Sequence, residues 1–409
     1  MTFEDLIAIG LRLSGGVGVI LAVMHIIGSN SYDLRAIKQK RQYLSQPHAR
    51  RYKRRPLISV IVITRDDERV IETCLASLVR SSYRKFEIIV ADNASQDKTR
   101  SKVTEFIAQH PNRQIRLFAK RLPASQVVTA AAAYHKYAKG ELVMLLDAGS
   151  TVDKQALTRA VMHFNSQPDI GVLSPKASVE AGFNGIGLLQ RYQELLGYRS
   201  RKFNSVSNSA YEISGPALYR RQTLATGLKA ASGIGLSRTN DGISLPILKL
   251  GNKASPYHYA ADVVVHRQPQ ASFYKLCKHY YQLQAGRLQS LKAQRGLFFS
   301  RDVGYTKFLT WFRLPFAVCV GITGLFIPLL MSYFVYLALS LHEPTLLFVS
   351  WAILGILLVL AIWDDEQMRF RQKIIYSLGV PVTYGAFYIL SFMQIAATLR
   401  SVVGLKPGK

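Results

Sequence analysis

Short, nearly continuous runs of β-branched residues alternate with helical periods through the middle of the chain. Ile58–Ile63 (ISVIVI) and Phe86–Ala91 (FEIIVA) have the pattern of strands covered on both faces of a parallel sheet. Between them Glu68–Val79 places apolar residues at 70, 71, 74, 75, 78 and 79, a helical period that predicts a βαβ unit. The alternation continues with a helix over Lys98–Gln109, a strand near Ile115–Ala119, a helix over Val127–Ala138 and a strand over Glu141–Leu146. This order predicts an α/β doubly wound domain on a mostly parallel sheet.

Four longer apolar stretches flank that domain. Leu6–Ile27 is apolar except for Arg12, Ser14 and His25, and its 22 residues suffice for a hydrocarbon core that needs about 20. Glu4 and Asp5 precede it and bulky residues follow it, which argues for an uncleaved anchor rather than a signal peptide. Leu314–Leu341, Pro344–Trp363 and Ile374–Leu399 are each long enough to span, with a polar loop over 364–373. Lys or Arg occupies 35, 38, 40, 41, 50, 51, 53, 54 and 55 with no acidic residue between, so the positive-inside rule puts this linker and the α/β domain in the cytoplasm. Anionic membrane lipid is the nearest partner for the linker. With four spans the basic tail (Arg400, Lys406, Lys409) falls on the wrong side for that rule, so either one stretch is re-entrant or the short tail is an exception. Phe273–Gln294 interleaves apolar and basic residues and predicts an amphipathic helix at the interface.

The expected organisation is an N-terminal transmembrane helix (1–30), a basic linker (31–55), a catalytic domain (56–265), interfacial helices (266–307), about three C-terminal spans (308–400) and a tail (401–409).

Charge sharpens this picture. Lys and Arg number 52 against 25 Asp and Glu, a net charge of +27. That balance asks for an anionic partner, while 49% hydrophobic residues exclude a disordered polycation. The basic residues gather beside the apolar stretches and no aromatic-basic recognition motif accompanies them, which argues against nucleic acid. Cys74, Cys277 and Cys319 are too few and too scattered for a disulfide framework or a C-x-x-C metal site, so a reducing compartment is expected.

Candidate chemistry sits where strands end. The first strand runs into Thr64-Arg65-Asp66-Asp67-Glu68, the second into Asp92-Asn93-Ala94-Ser95-Gln96-Asp97, and the fourth into Asp147-Ala148-Gly149. In an open parallel sheet, ligands bind outside the carboxyl ends of the strands. A lone acid there often only caps the next helix, but three converging ends point to a site.

With these motifs in place, about 240 residues resemble glycosyltransferase family 2, the GT-A fold inverting transferases that use nucleotide-activated sugars. VIVITRDDERVIETCLASL is similar to that family's first strand, nucleotide loop and helix, and EIIVADNASQDKT to its second strand and acidic loop. LLDAGS stands at the Asp-x-Asp metal motif, SGPALYRRQTL resembles the segment before the catalytic loop, and Thr239-Asn240-Asp241 resembles Thr-Glu-Asp. Gln284-Ala285-Gly286-Arg287-Leu288 falls where membrane members carry Gln-x-x-Arg-Trp, and this later part looks most like the succinoglycan-type exopolysaccharide branch.

The resemblance implies a GT-A, Rossmann-like cytoplasmic domain with helical transmembrane segments in a bacterial inner membrane. It implies a nucleotide-sugar donor, commonly UDP-linked, and a lipid-linked or growing glycan acceptor. Thr64, Arg65, Asp66, Glu68, Asp92 and Asn93 would line the nucleotide site. Asp147 would hold the donor through a divalent metal, Mg²⁺ or Mn²⁺, and Asp241 would be the general base. Gln284 and Arg287, three apart on one helix face, would meet the diphosphate or acceptor, or would only solvate the polar face of the interfacial helix. Four departures qualify this. Gly149 replaces the second metal Asp, which removes one expected metal ligand, and Asn240 replaces a Glu. Leu288 replaces the Trp associated with processive synthesis, and Asn93 replaces an Asp. A processive synthase and a catalytically degenerate scaffold of an exopolysaccharide complex are the alternatives.

Overall fold

In the computed structural model the described residues are 16, 19–38, 55–179, 185–207, 215–232, 257–270, 272–293, 295–301, 307–340, 355–356, 358–365 and 368–402. A helix over 19–38 (α1) precedes the α/β domain. Strands β1 (Ile58–Thr64), β2 (Phe86–Asp92), β3 (Ile115–Ala119) and β4 (Leu142–Asp147) run parallel. Helices α2 (Ile71–Val79), α3 (Thr99–Gln109) and α4 (Gln126–Tyr137) cross over between them.

Every residue of β1 and β2 is buried, because side chains alternate between two covered faces. Ile58, Val60 and Val62 pack with Ile71, Cys74, Leu75 and Leu78 of α2. Ile61 and Ile63 pack on the other face with Val127, Ala130 and Ala133 of α4. Such two-sided burial removes any need for a polar alternation and explains the uninterrupted apolar runs.

The sheet has eight strands in the order β3-β2-β1-β4-β7-β6-β8-β5, adding β5 (Ser150–Val152), β6 (Val172–Val179), β7 (Ala217–Arg220) and β8 (Tyr257–Arg267). β7 opposes β4 and β6, and β5 opposes β8, while β6 and β8 are parallel. The sheet is thus mostly parallel, with β5 and β7 as its two reversed strands. β5 starts three residues after β4 ends and yet lies at the far edge. Three residues reach at most about 11 Å. The sheet therefore curls, and the β8–β5 edge returns to the carboxyl end of β4.

The remaining helices are α5 (Ala156–Ser166), α6 (Gly185–Ser207), α7 (Arg221–Ser232), α8 (Phe273–Ala293), α9 (Leu314–Ser340) and α10 (Phe370–Val402). α1 lies against α6 at Gly28, where an added Cβ would meet the Phe203 side chain at 2.5 Å; only glycine permits that approach. Tyr32 of α1 donates its hydroxyl to the Tyr259 carbonyl of β8 at 2.8 Å. A buried ion-pair cluster adds a third tie. Asp365 pairs with Lys176 of β6 and, at 3.0 Å, with Arg191 of α6. Asp364 pairs with Lys202 at 3.2 Å and Arg199 at 3.4 Å, and Lys202 also reaches Asp33 of α1 at 2.8 Å.

Some expected boundaries shift. The helix expected from Glu68 starts at Ile71, because 65–70 form a loop held from outside the helix. The strands run one residue past their apolar runs, so Thr64, Asp92 and Asp147 end strands rather than begin loops. Of the expected spans, much of 6–27 and most of 344–363 lie outside the described residues, as do side chains through the middle of 314–340. Among the described residues no helix is long and apolar enough to cross a membrane.

Candidate active site

The register of the parallel strands sets Thr64 beside Asp92 and Ile63 beside Asp147. Thr64 and Asp92 therefore stand level at the carboxyl edge, with Asp147 one position short of them on the neighbouring strand.

The loops after β1 and β2 clasp each other. Asp66 accepts a hydrogen bond from the Gln96 N–H at 2.7 Å, and its own N–H donates to Ser95 Oγ at 3.0 Å. The Glu68 N–H donates to Asp97 Oδ2 at 3.0 Å, while Glu68 Oε2 accepts from the Lys98 N–H at 3.1 Å. The Asp67 N–H donates to Thr99 Oγ1 at 2.9 Å. Asp66 and Ala94 take left-handed backbones, φ 56 and 59, to face their partners. Polar side chains thus close this loop pair, and the crevice wall is preorganised by main-chain bonds. Arg65 lies exposed at the rim, its Nε 3.8 Å from the Asp66 carboxylate.

Asp67, quoted in the sequence motif but assigned no role there, accepts from Thr64 Oγ1 at 3.0 Å and from the Arg65 N–H at 2.9 Å. Burial raises its pKa, the two hydrogen bonds lower it, and the nearby charges of Asp147 and Asp97 raise it again, for a net rise. Asp97 goes the other way: hydrogen bonds from Thr99 and the Glu68 N–H outweigh desolvation, which raises it, and hold it below the usual range.

Asp92 is fully buried. Its carboxylate accepts from the Ser95 hydroxyl and, at 2.6 Å, from Arg100 Nε. Arg100 Nη2 also donates to the Lys120 carbonyl at 2.7 Å. Asn93 is buried too and turns to the loop before α4, bonding Ala124 and Thr129. Both residues of this pair organise the crevice from behind, with their polar atoms engaged by protein.

At the end of β4, Asp147 stays about one-third exposed, and Arg267 Nη2 lies 3.7 Å from its Oδ2. Arg267 ends β8 and pairs with Ser150 of β5, while the Gln268 N–H donates to the Gly149 carbonyl at 3.1 Å. The curl of the sheet is what brings the two together. A Cβ on Gly149 would meet nothing within 4 Å, so that position opens on free space. Gly215, at φ 87, sits behind the guanidinium, its Cβ position 3.5 Å from Arg267 Nη1. Arg267 escaped the sequence analysis, which ended the catalytic domain at 265. The signal resembled that for the acids: an apolar run, Val263–Val265, followed by His266, the charge of Arg267 and Gln268-Pro269.

Asp241 lies outside the described residues. Gln284 is partly buried on α8, and the backbone of Arg287 belongs to the same helix, with its side chain outside the described residues. Leu276 of α8 packs with Leu189 of α6 and Leu390 of α10.

A divalent ion such as Mg²⁺ or Mn²⁺ takes about six hard oxygen ligands. Among the described residues no three His, Cys, Asp or Glu gather in a metal-binding group. Asp147 has a guanidinium beside it and Gly149 offers no ligand. The described side chains do not by themselves compose a divalent-metal site.

A curled, mostly parallel sheet with acids along one carboxyl edge is the GT-A architecture. Residues 59–228 match the model of the family described as Glycosyl transferase family 2, and the chain carries a glycosyltransferase domain of that family. Two curated relatives, both named poly-beta-1,6-N-acetyl-D-glucosamine synthase and both from Staphylococcus epidermidis, are similar to it. One is 24% identical over 170 residues, 41% of this chain and 40% of the relative. The other is 23% identical over 209 residues, 50% of this chain and 49% of the relative. The chain spans about half the length of the curated relatives it matches. Among solved structures, a mannosyltransferase from Pyrobaculum calidifontis in complex with GDP-Man and Mn²⁺ is 19% identical, with a TM-score of 0.54 over 96% of this chain and 100% of that one. That likeness is one of fold.

Proposed function

We propose that the chain moves a sugar from a nucleotide-sugar donor, with inversion, onto a lipid-linked or growing polysaccharide acceptor at the cytoplasmic face of a bacterial inner membrane. The gathering of Thr64, Asp92 and Asp147 at the carboxyl ends of three adjacent strands carries the donor half of this reading, because an open α/β sheet takes its ligand there. The printed name of the two relatives supports a polysaccharide acceptor and makes UDP-N-acetylglucosamine the first donor to try.

The acceptor hydroxyl oxygen attacks the anomeric carbon from the face opposite the diphosphate. Its bond to carbon forms as the bond to the phosphate oxygen breaks, and that electron pair stays on the departing nucleotide. Asp241, by its resemblance to the family base, takes the hydroxyl proton. One displacement inverts the carbon. The clasped loops hold the nucleoside end rigid, so less ordering remains to be done at the moment of reaction.

Attachment to a bilayer is supported by the four apolar stretches and by α1. Its exposed Val19, Ile20, Val23, Ile26 and Ile27 follow the i, i+1, i+4, i+7, i+8 spacing of a single face. The basic residues from 35 to 55 would then meet anionic headgroups. The name of the relatives favours a second reading, a processive synthase, against which Leu288 stands in place of the stacking Trp.

The test is a transfer screen with UDP-, GDP- and dTDP-sugars and a membrane lipid extract on detergent-purified protein. Nucleotide release from one donor, abolished by Asp241→Asn and giving a single extended lipid, is the expected result; a ladder of products supports the processive reading. No release from any donor, with no nucleotide binding by calorimetry, overturns both and leaves the scaffold.

A further inference from the structure

We infer that Arg267 supplies the positive charge for the donor diphosphate that a divalent ion would otherwise supply, so that nucleotide binding and transfer do not require a metal. This rests on the transferase reading above.

A dication held by two carboxylates and a guanidinium beside one carboxylate carry the same net charge, zero. At the carboxyl end of β4 the chain has one carboxylate, Asp147, a glycine two residues later, and the Arg267 guanidinium 3.7 Å away. Both ions keep about one-third or less of their surface exposed, so the pair is partly desolvated yet reachable. At 3.7 Å the pair is loose, longer than the 2.7–2.9 Å of a charge-assisted hydrogen bond, so donor hydrogens of the guanidinium remain available for phosphate oxygens.

The position of Arg267 is fixed by the fold. β8 pairs with β5 at Ser150, the Gln268 N–H binds the Gly149 carbonyl, and Gly215 leaves room behind the guanidinium. The open space at Gly149 adjoins this pair, two residues after Asp147 and hydrogen-bonded to the residue after Arg267. A planar guanidinium suits phosphate oxygens, two of which it can meet at once. As the sugar–oxygen bond breaks, its electron pair settles on the phosphate oxygen, and Arg267 meets that growing charge without any change of its own protonation.

Calorimetric titration with UDP and with GDP, each in EDTA and in Mn²⁺, tests this on the whole chain. Wild type is expected to bind one nucleotide in EDTA, with Mn²⁺ changing the affinity less than about 2-fold and no protein-bound signal in Mn²⁺ electron paramagnetic resonance. Arg267→Gln should weaken binding in EDTA about 10- to 100-fold, and Arg267→Lys should recover part of it. Gly149→Asp, whose Cβ enters open space, provides a second variant independent of β8. It should weaken binding in EDTA and regain it in Mn²⁺, because its second carboxylate now needs a dication. Binding by wild type only in Mn²⁺, or unchanged binding in Arg267→Gln, overturns the inference while leaving the transferase reading intact. Absence of binding to either nucleotide in both buffers removes the transferase reading, and the inference with it.

Discussion

Asn93 holds Ala124 by two hydrogen bonds: its Oδ1 accepts from the Ala124 N–H at 2.9 Å and its Nδ2 donates to the Ala124 carbonyl at 2.8 Å. Thr129 adds a third bond, its hydroxyl donating to the same Oδ1 at 3.1 Å. An amide offers a donor and an acceptor together where an ionised carboxylate only accepts, and this explains why Asn stands where the resembling family has Asp. Asn93→Asp should destabilise the fold by about 1–3 kcal/mol, because a buried carboxylate oxygen would face the Ala124 carbonyl. Chemical unfolding measures it; a variant as stable as wild type would show that the loop before α4 is held by other contacts.

The clasp between the first two strand loops depends on the left-handed backbone at Asp66. Asp66→Gly loses the hydrogen bond to the Gln96 N–H but keeps the conformation, for about 1 kcal/mol. Asp66→Ala loses both and should cost about 1 kcal/mol more. If alanine is tolerated better than glycine, as read from paired melting curves, backbone strain is not what sets the residue at this position.

Asp365 is buried between Lys176 and Arg191, which are themselves nearly buried. Asp365→Leu leaves both cations unpaired and should cost about 3–5 kcal/mol. Replacing all three with apolar residues of similar volume should recover most of that loss, since burying the charges was itself costly. Equal loss in the single and triple variants, by denaturant titration, would mean that the geometry of the pair rather than its charge joins α6 to the segment before α10.

Asp364 supplies a pH dependence. Burial raises its pKa, but the Ser29 hydroxyl and the Lys202 and Arg199 charges lower it further, so the folded value lies below the unfolded one. Its contribution to stability is then fully present above the unfolded carboxyl value of about 4 and lost as pH falls through the folded value. Asp364→Asn should lower the melting temperature near neutral pH and flatten its fall in acid, measured from pH about 7 down to about 3. A fall as steep as that of wild type would place the acid sensitivity elsewhere.

The α/β order, the strands β1 to β4 and the acids at their ends were legible along the chain. Buried parallel strands leave continuous apolar runs, and crossover helices leave a period that needs no partner to be recognised. Asp66, Asp92 and Asp147 could be placed at strand ends for the same reason. The sheet's second half was not legible: β5 has three residues, β7 four, and β8 joins β5 across more than a hundred positions. Such short strands carry too little periodicity, and their pairing is decided by which edges the curl brings into reach. Arg267 illustrates this limit, because nothing in local sequence says that the end of β8 meets the end of β4. Nor does composition separate acids that face the crevice from those spent inside it. Asp92 and Asn93 look alike beside Asp147 along the chain, yet Ser95, Arg100 and Ala124 occupy their polar atoms while Asp147 keeps an open side. For Asn93 and Asp147 the partners that settle the difference, Ala124 and Arg267, lie about thirty and over a hundred residues away, and only packing brings them together; for Asp92 they are near in sequence, but the turn of the loop decides that they face it.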